Sequence, residues 1–159
     1  MIPRSRKLDR ILEGLSCPKG LLEIWAQDTR HPDRSSVCLV RRNNLLVNNF
    51  RTQVVHALAG DLVGRSISSI QLGSSGVTEQ VTDTLITNPY SVVTTSSVEL
   101  SPKTNLFVGT LGMGSGDQVE FREVGLIFAN STLAARKTFP TMIKSYPWEW
   151  TIRWTILWT

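Results

Sequence analysis

Side chains able to do chemistry are sparse in this 159-residue chain. Its two histidines are His31, in a polar stretch before Pro32, and His56, within an apolar-patterned stretch. A serine or cysteine nucleophile would need one of them as its base, and no GxSxG elbow or Cys/His signature accompanies either. Glu120 and Glu123, around FREVG, have the residue type for glycoside cleavage, but the neighbouring Arg122 points to an ion pair on a strand surface. Gly112, Gly114 and Gly116 fall in GMGSG, which lacks the GxGxxG interval and is followed by no Lys-Ser/Thr pair, so a turn is the expected use. No HExxH, carboxylate cluster or EF-hand loop is present, and neither a metal nor another cofactor is expected. Cys17 and Cys38 are too few for a disulfide framework or a zinc cluster and are read as reduced thiols of a chain that folds in a cytoplasm. The chain reads as a non-enzyme.

The most informative stretch is aromatic. In YPWEWTIRWTILWT, Tyr146, Trp148, Trp150, Ile152, Trp154, Ile156 and Trp158 alternate with Pro147, Glu149, Thr151, Arg153, Thr155, Leu157 and Thr159. Period-two alternation of this length predicts a strand with one apolar face. Each tryptophan ring buries about 150–250 Å², so that face must be covered. Either Trp148, Trp150, Trp154 and Trp158 wall the chain's own core, or the outer two, Trp148 and Trp158, lie at a subunit interface or form a carbohydrate platform.

Charge is concentrated at the other end. The chain carries a net +4, and residues 1–51 hold ten Lys/Arg against five Asp/Glu. Within this third, SRKLDRILEGL (5–15) sets Leu8, Ile11, Leu12 and Leu15 at i, i+3, i+4, i+7, which predicts a short amphipathic helix too short to stand alone. Together with Arg4, Arg6, Lys7 and Arg10 it makes a basic arm that must dock, on its own body or on a neighbour. An acidic protein surface is the favoured partner for this charge. The basic residues are interleaved with acids and no aromatic-basic platform accompanies them, so nucleic acid is disfavoured. No window approaches the roughly 18–20 apolar residues of a membrane helix, and MIPRSRKLDR leads into no apolar signal core.

The elements between follow from pattern. GLLEIWAQ (20–27) and VCLVRRN (37–43), joined by the polar turn 28–36, predict a β-hairpin. Asn48 or Asn49 is expected to cap a helix near 49–59 with Phe50, Val54, Ala57 and Leu58 as its apolar face and Gly60 as its stop. Strands are then expected at 67–73, 76–86, 90–101, 105–112, 118–130 and 133–145, with a glycine turn at 113–118. Short strands at near-regular spacing predict a mainly β fold, an antiparallel jelly-roll-like sandwich over residues 20–159 with residues 1–19 as the arm. With 41% hydrophobic residues the composition excludes a disordered chain.

The order of motifs resembles small virion proteins of tailed bacteriophages. It runs from the opening hairpin through NNLLVNN and its helix ending in Leu-Ala-Gly, then IQLGSSG, DTLITNP, VEFREVGLIFAN, and LAARKTFPTMIKS leading into WTIRWTI. Residues 20–159 carry the resemblance, although relatives often read LGTG where this chain has LGSSG. It implies a virion structural protein made in the host bacterial cytoplasm, a head decoration or cement protein or a tail-associated component, with other virion subunits as partners. It also implies a homo-oligomer, with a trimer by analogy, and no catalytic residues to transfer. Decoration of the head is favoured, with the arm gripping a neighbour. The alternative is a tail adaptor or a receptor- or carbohydrate-binding module.

Overall fold

The structure is a computed structural model that describes residues 18–158, with the strand path alone for residues 91–96 and 98–100. The predicted arm, with Arg4, Arg6, Lys7, Leu8, Arg10, Ile11, Leu12 and Leu15, lies outside the described residues. The elements are β1 (Lys19–Asp28), β2 (Val37–Leu46), α1 (Asn48–Leu58), β3 (Ile67–Gly73), β4 (Ser91–Ser101), β5 (Thr104–Leu111), β6 (Glu120–Phe128), β7 (Leu133–Ile143) and β8 (Trp148–Leu157).

All strand pairings are antiparallel, and the strands run β1-β2-β7-β6-β3-β4-β5-β8 around a nearly closed barrel, with β8 returning to β1. A mainly antiparallel β fold with one short helix agrees with the sequence. The two stacked sheets of a sandwich are replaced by a ring because β2 and β4 each change partner along their length. Residues Gly20–Ala26 of β1 face Val37–Asn44 of β2, whereas Leu45 and Leu46 of β2 face Arg136 and Ala135 of β7. Likewise β4 pairs with β3 through Thr94 and with β5 from Thr95 onward.

The period-two pattern of β8 fills the barrel. Trp150, Ile152, Trp154 and Ile156 point inward and are almost wholly buried. On one side Trp154 meets Leu22, Ile152 meets Ile24 and Trp150 meets Ala26. On the other side the same three meet Phe107, Gly109 and Leu111. Trp150 thus has the small Ala26 on one side and Ile152 has Gly109, while Trp154 packs between the large Leu22 and Phe107. Ile70, Leu72, Phe121, Val124, Leu126 and Phe128 close the core from the opposite wall, while Glu23, Arg41 and Arg153 alternate outward.

Two expectations are corrected. Residues 76–86 form no strand; residues 74–90 run as an irregular strap over the outside of β3, β6 and β7, because their carboxylates are claimed by side chains of β7 and two of their amides by Glu123 of β6, as described below. The helix starts one residue early, with Val47 at the N-cap and no side-chain cap. Val47 is still tethered to β7 through its N–H to the Ala134 carbonyl (3.1 Å), and Asn49 uses its amide to donate to the Leu133 carbonyl (2.9 Å). This anchoring turns Phe50 and Gln53 inward and leaves Leu58 exposed, contrary to the expected apolar face. Gln53 tolerates burial because its amide is bonded: it donates to Asn49 Oδ1 (2.9 Å) and accepts from Arg65 and Asn130.

Candidate binding cleft

The barrel is zipped unevenly. Past the two residue pairs that join β2 to β7, no ladder connects residues 37–44 of β2 with residues 137–143 of β7, although each strand is paired on its other side. The seam therefore opens toward the Val37 and Ile143 end as a wedge with two strand edges facing each other. Its inner part is a hollow of about 280 Å³ lined by Leu39, Val40, Arg41, Arg42, Phe139, Pro140 and Met142. Its mouth is a second hollow of about 340 Å³, in which Val37, Leu39, Ile143 and Trp148 surround the end of the core at Trp150. Val37, Leu39 and Ile143 are exposed, so the opening presents apolar side chains to water. Free strand edges above an apolar floor are the arrangement that accepts an added strand. On β2, Arg41 is held by Glu23 (3.4 Å) but keeps most of its side chain exposed, and Arg42 is exposed beside it.

The outer face next to the seam is held by a buried charge network. Glu123 of β6 and Arg136 of β7 are both inaccessible, and Arg136 Nε donates to Glu123 Oε2 at 2.7 Å. The same guanidinium donates to Asp83 Oδ2 (2.7 Å) and to the Val77 carbonyl (3.0 Å), both on the strap. Glu123 Oε1 accepts the strap amides of Ser75 (3.1 Å) and Thr87 (2.9 Å). Burial works against the charge on Arg136, but the two carboxylates outweigh it and raise its pKa. Just beyond the seam junction, Glu79 bonds Lys137 and the Thr138 hydroxyl (2.6 Å) and amide (3.3 Å). Burial raises the Glu79 pKa, yet the Lys137 ammonium and Thr138 hydroxyl outweigh it and hold the carboxyl down at about 2. Between these charges, Ile86 of the strap presses on Gly73 and Gly125, where an added Cβ would meet its side chain at 2.5 Å, and completes a small outer core with Val47, Ile127 and Leu133.

At the mouth, Lys144 is fully buried and donates to the carbonyls of Gly112 (2.7 Å) and Met113 (3.0 Å). Burial lowers its pKa, opposed by Asp117 and Glu149. Both carbonyls belong to the turn following β5, so this lysine fastens the glycine turn across the barrel end; Asp117 adds a bond to the Tyr146 amide (2.7 Å).

The sequence-predicted residues separate. Trp150 and Trp154 are core, Trp148 is half-buried in the cleft mouth, and Trp158 lies past the end of β8. Trp158 stacks on Phe50 with ring centroids 5.9 Å apart and donates to Asn105 Oδ1 (3.3 Å), so one face of its ring is already used. Glu120 pairs with Arg122 at 3.6 Å on the surface, whereas Glu123 is committed to Arg136, so the two carboxylates do not converge. His31 and His56 are both exposed, and Cys38 is an exposed free thiol on β2. Among the described residues no group of three or more His, Cys, Asp or Glu side chains is placed to hold a metal ion, and no helix is long and apolar enough to cross a membrane. The sequence reading missed Arg136, Glu79 and Lys144. Its one available signal was the pair Arg136-Lys137 inside the otherwise apolar run LAARKTF.

No family model, no curated protein and no solved structure matches the chain.

Proposed function

We propose that this protein is a non-enzymatic structural subunit of a bacteriophage virion that binds other capsid or tail subunits, foremost as a decoration protein on the head. The observation that carries the reading is the open seam between β2 and β7, a surface suited to holding a neighbour's chain rather than to transforming a molecule. The motif order across residues 20–159 supplies the virion context. An extended segment of a neighbouring subunit would pair with the edge of β2, set its apolar side chains against Leu39, Phe139 and Met142, and bring acidic residues beside Arg41 and Arg42. Repetition of the subunit as a homo-oligomer multiplies such a contact over a particle.

The test is add-back. Particles of the phage that encodes the chain, produced without it, should retain the purified protein. Leu39→Asp or the pair Arg41→Glu and Arg42→Glu should abolish retention while the protein stays folded. If intact virions contain none of the protein, or if both variants bind as the parent does, the reading is wrong.

A second reading, a tail-side carbohydrate-binding module, is favoured by one feature of the outer face. A hollow of about 480 Å³ there combines the Trp25 ring with Gln27, Ser36, Glu149, Thr151 and Arg153, a flat aromatic with donors and acceptors around it. Sugar-dependent quenching of tryptophan fluorescence that disappears in Trp25→Ala would favour it over the seam.

A further inference from the structure

At the barrel end opposite the seam mouth, a groove of about 470 Å³ runs between the start of β1, the end of β2 and α1. We propose that it is the seat of the chain's own segment 5–15, which lies down along it in the same molecule. This inference stands apart from the seam and from any particle.

Three observations specify the occupant. The first is the lining: Leu45, Leu46, Phe50 and Val81 give the groove an apolar bed, with Lys19 and Arg51 at its rim. Segment 5–15 has the matching shape in its sequence, a stripe of Leu8, Ile11, Leu12 and Leu15, with Asp9 and Glu13 along one side and Arg6, Lys7 and Arg10 on its remaining faces. The stripe meets the bed, and the charged faces are left toward solvent. A helix of this length is about 16 Å long and gains its stability from such docking.

The second observation is Asn44. Its side-chain oxygen and nitrogen are both shut off from solvent and have no hydrogen-bond partner among the described residues. It lies against Gly20 so closely that a Cβ there would sit 1.7 Å from its Oδ1. A desolvated amide with neither bond made is strongly disfavoured. Asn44 also lines the groove, so a chain seated there gives the amide polar atoms to turn toward and bond.

The third observation is where the chain enters. Pro18 is itself a wall of the groove, so everything before it starts at the rim. Leu15 is three residues away and so within about 10 Å of Pro18. The same molecule's arm is therefore delivered to the groove at high effective concentration, ahead of any second copy.

The experiment uses the full chain labelled with ¹⁵N. In the parent protein the Asn44 side-chain amide should exchange slowly, and residues 5–15 should show helical rather than random-coil shifts. Leu12→Asp, which lies outside the barrel, should speed Asn44 amide exchange at least tenfold and move the resonances of residues 18–20 and 43–51. The β5–β8 amide pattern should stay unchanged, which confirms that the barrel is folded. Random-coil shifts for residues 5–15 in the parent, or unchanged Asn44 and Phe50 resonances in Leu12→Asp, would overturn the proposal. So would contacts between the stripe and the groove that appear only between differently labelled copies, since these would assign the groove to a second molecule's arm. None of these outcomes depends on particle binding, so this inference and the proposed function fail separately.

Discussion

Replacing Arg136 with methionine tests what secures the strap. The change removes the guanidinium from Glu123 Oε2, Asp83 Oδ2 and the Val77 carbonyl, while Met fills much of the same volume. Asp83 is partly exposed and regains water, but Glu123 is fully buried and keeps only the amides of Ser75 and Thr87. Breaking a buried pair by removing one member costs about 3–5 kcal/mol, because the remaining charge is stranded. For a chain of this size each kcal/mol moves Tm by about 2–4 °C, so a fall of about 6–20 °C is expected. Adding Glu123→Gln should recover part of the loss, since the amide oxygen still accepts from Ser75 and Thr87 while the stranded charge is gone. Thermal unfolding by circular dichroism reads the global effect. Thermolysin reads the strap, because Val77, Val81, Leu85 and Ile86 lie within it and it contains no trypsin site. Arg136→Met should be cut in the strap well before the barrel unfolds. A loss under about 1 kcal/mol, with the strap still resistant, would refute the assignment of Glu123–Arg136 as its anchor.

Four further outcomes are expected. Because the Glu79 pKa is depressed in the folded chain, its bonds to Lys137 and Thr138 contribute fully above about pH 4.5 and are lost as pH falls toward about 2; urea titrations of Glu79→Gln should show a flatter acid limb across that window than the parent. Gly125→Ala should destabilise by about 1–3 kcal/mol, read by chemical denaturation, because the new methyl meets the Ile86 side chain at 2.5 Å and the strap must lift. Trp154→Phe should cost less in the same assay than Trp150→Phe, since the Trp154 indole N–H is buried without a partner and its removal offsets part of the lost packing. Pro140→Val should slow amide exchange at residues 39–43 by drawing β7 toward β2; unchanged exchange there would mean that proline does not hold the seam open.

Strands whose faces differ in polarity were legible from sequence, and β8 most of all, because period two is a local property and its inward row Trp150–Ile152–Trp154–Ile156 is unbroken. Ring closure was not legible. It depends on where β2 and β4 exchange one partner for another, and residues such as Leu45 and Thr95 look the same in either arrangement. The strap was misread because VTEQVTDTLI is rich in β-branched residues, and β propensity reports fit to a half-buried surface rather than pairing. What decides against a strand there is tertiary: Glu79 and Asp83 find cations on β7, more than fifty residues away in sequence. The apolar stripe at the chain's start was readable as a pattern, but the groove it matches is assembled from β1, β2 and α1 and has no sequence signature. Cleft residues such as Leu39 and Met142 likewise look like ordinary strand residues until the missing ladder exposes them.

The seam follows from two features of the sequence that a continuous ladder could not accommodate. Extending the register in which Leu45 faces Arg136 would set Arg41 against Pro140 and Leu39 against Met142. Proline offers no N–H, so the ladder would lose a donor at the middle of the seam, where strands tolerate proline only at an edge or bulge. The β6 side reinforces this: Glu123 faces Thr138 but Phe121 faces Met142, so β7 carries surplus residues around Pro140 and bends there. Strand edges left open invite uncontrolled association unless charge or proline blunts them. Here β7 is blunted by Pro140, while β2 carries Arg41 and Arg42 and keeps its backbone donors. The two edges are therefore unequal: β2 can accept a strand, and its arginines disfavour a second copy of their own basic edge while favouring an acidic one. An edge of that kind distinguishes an acidic strand from a copy of itself.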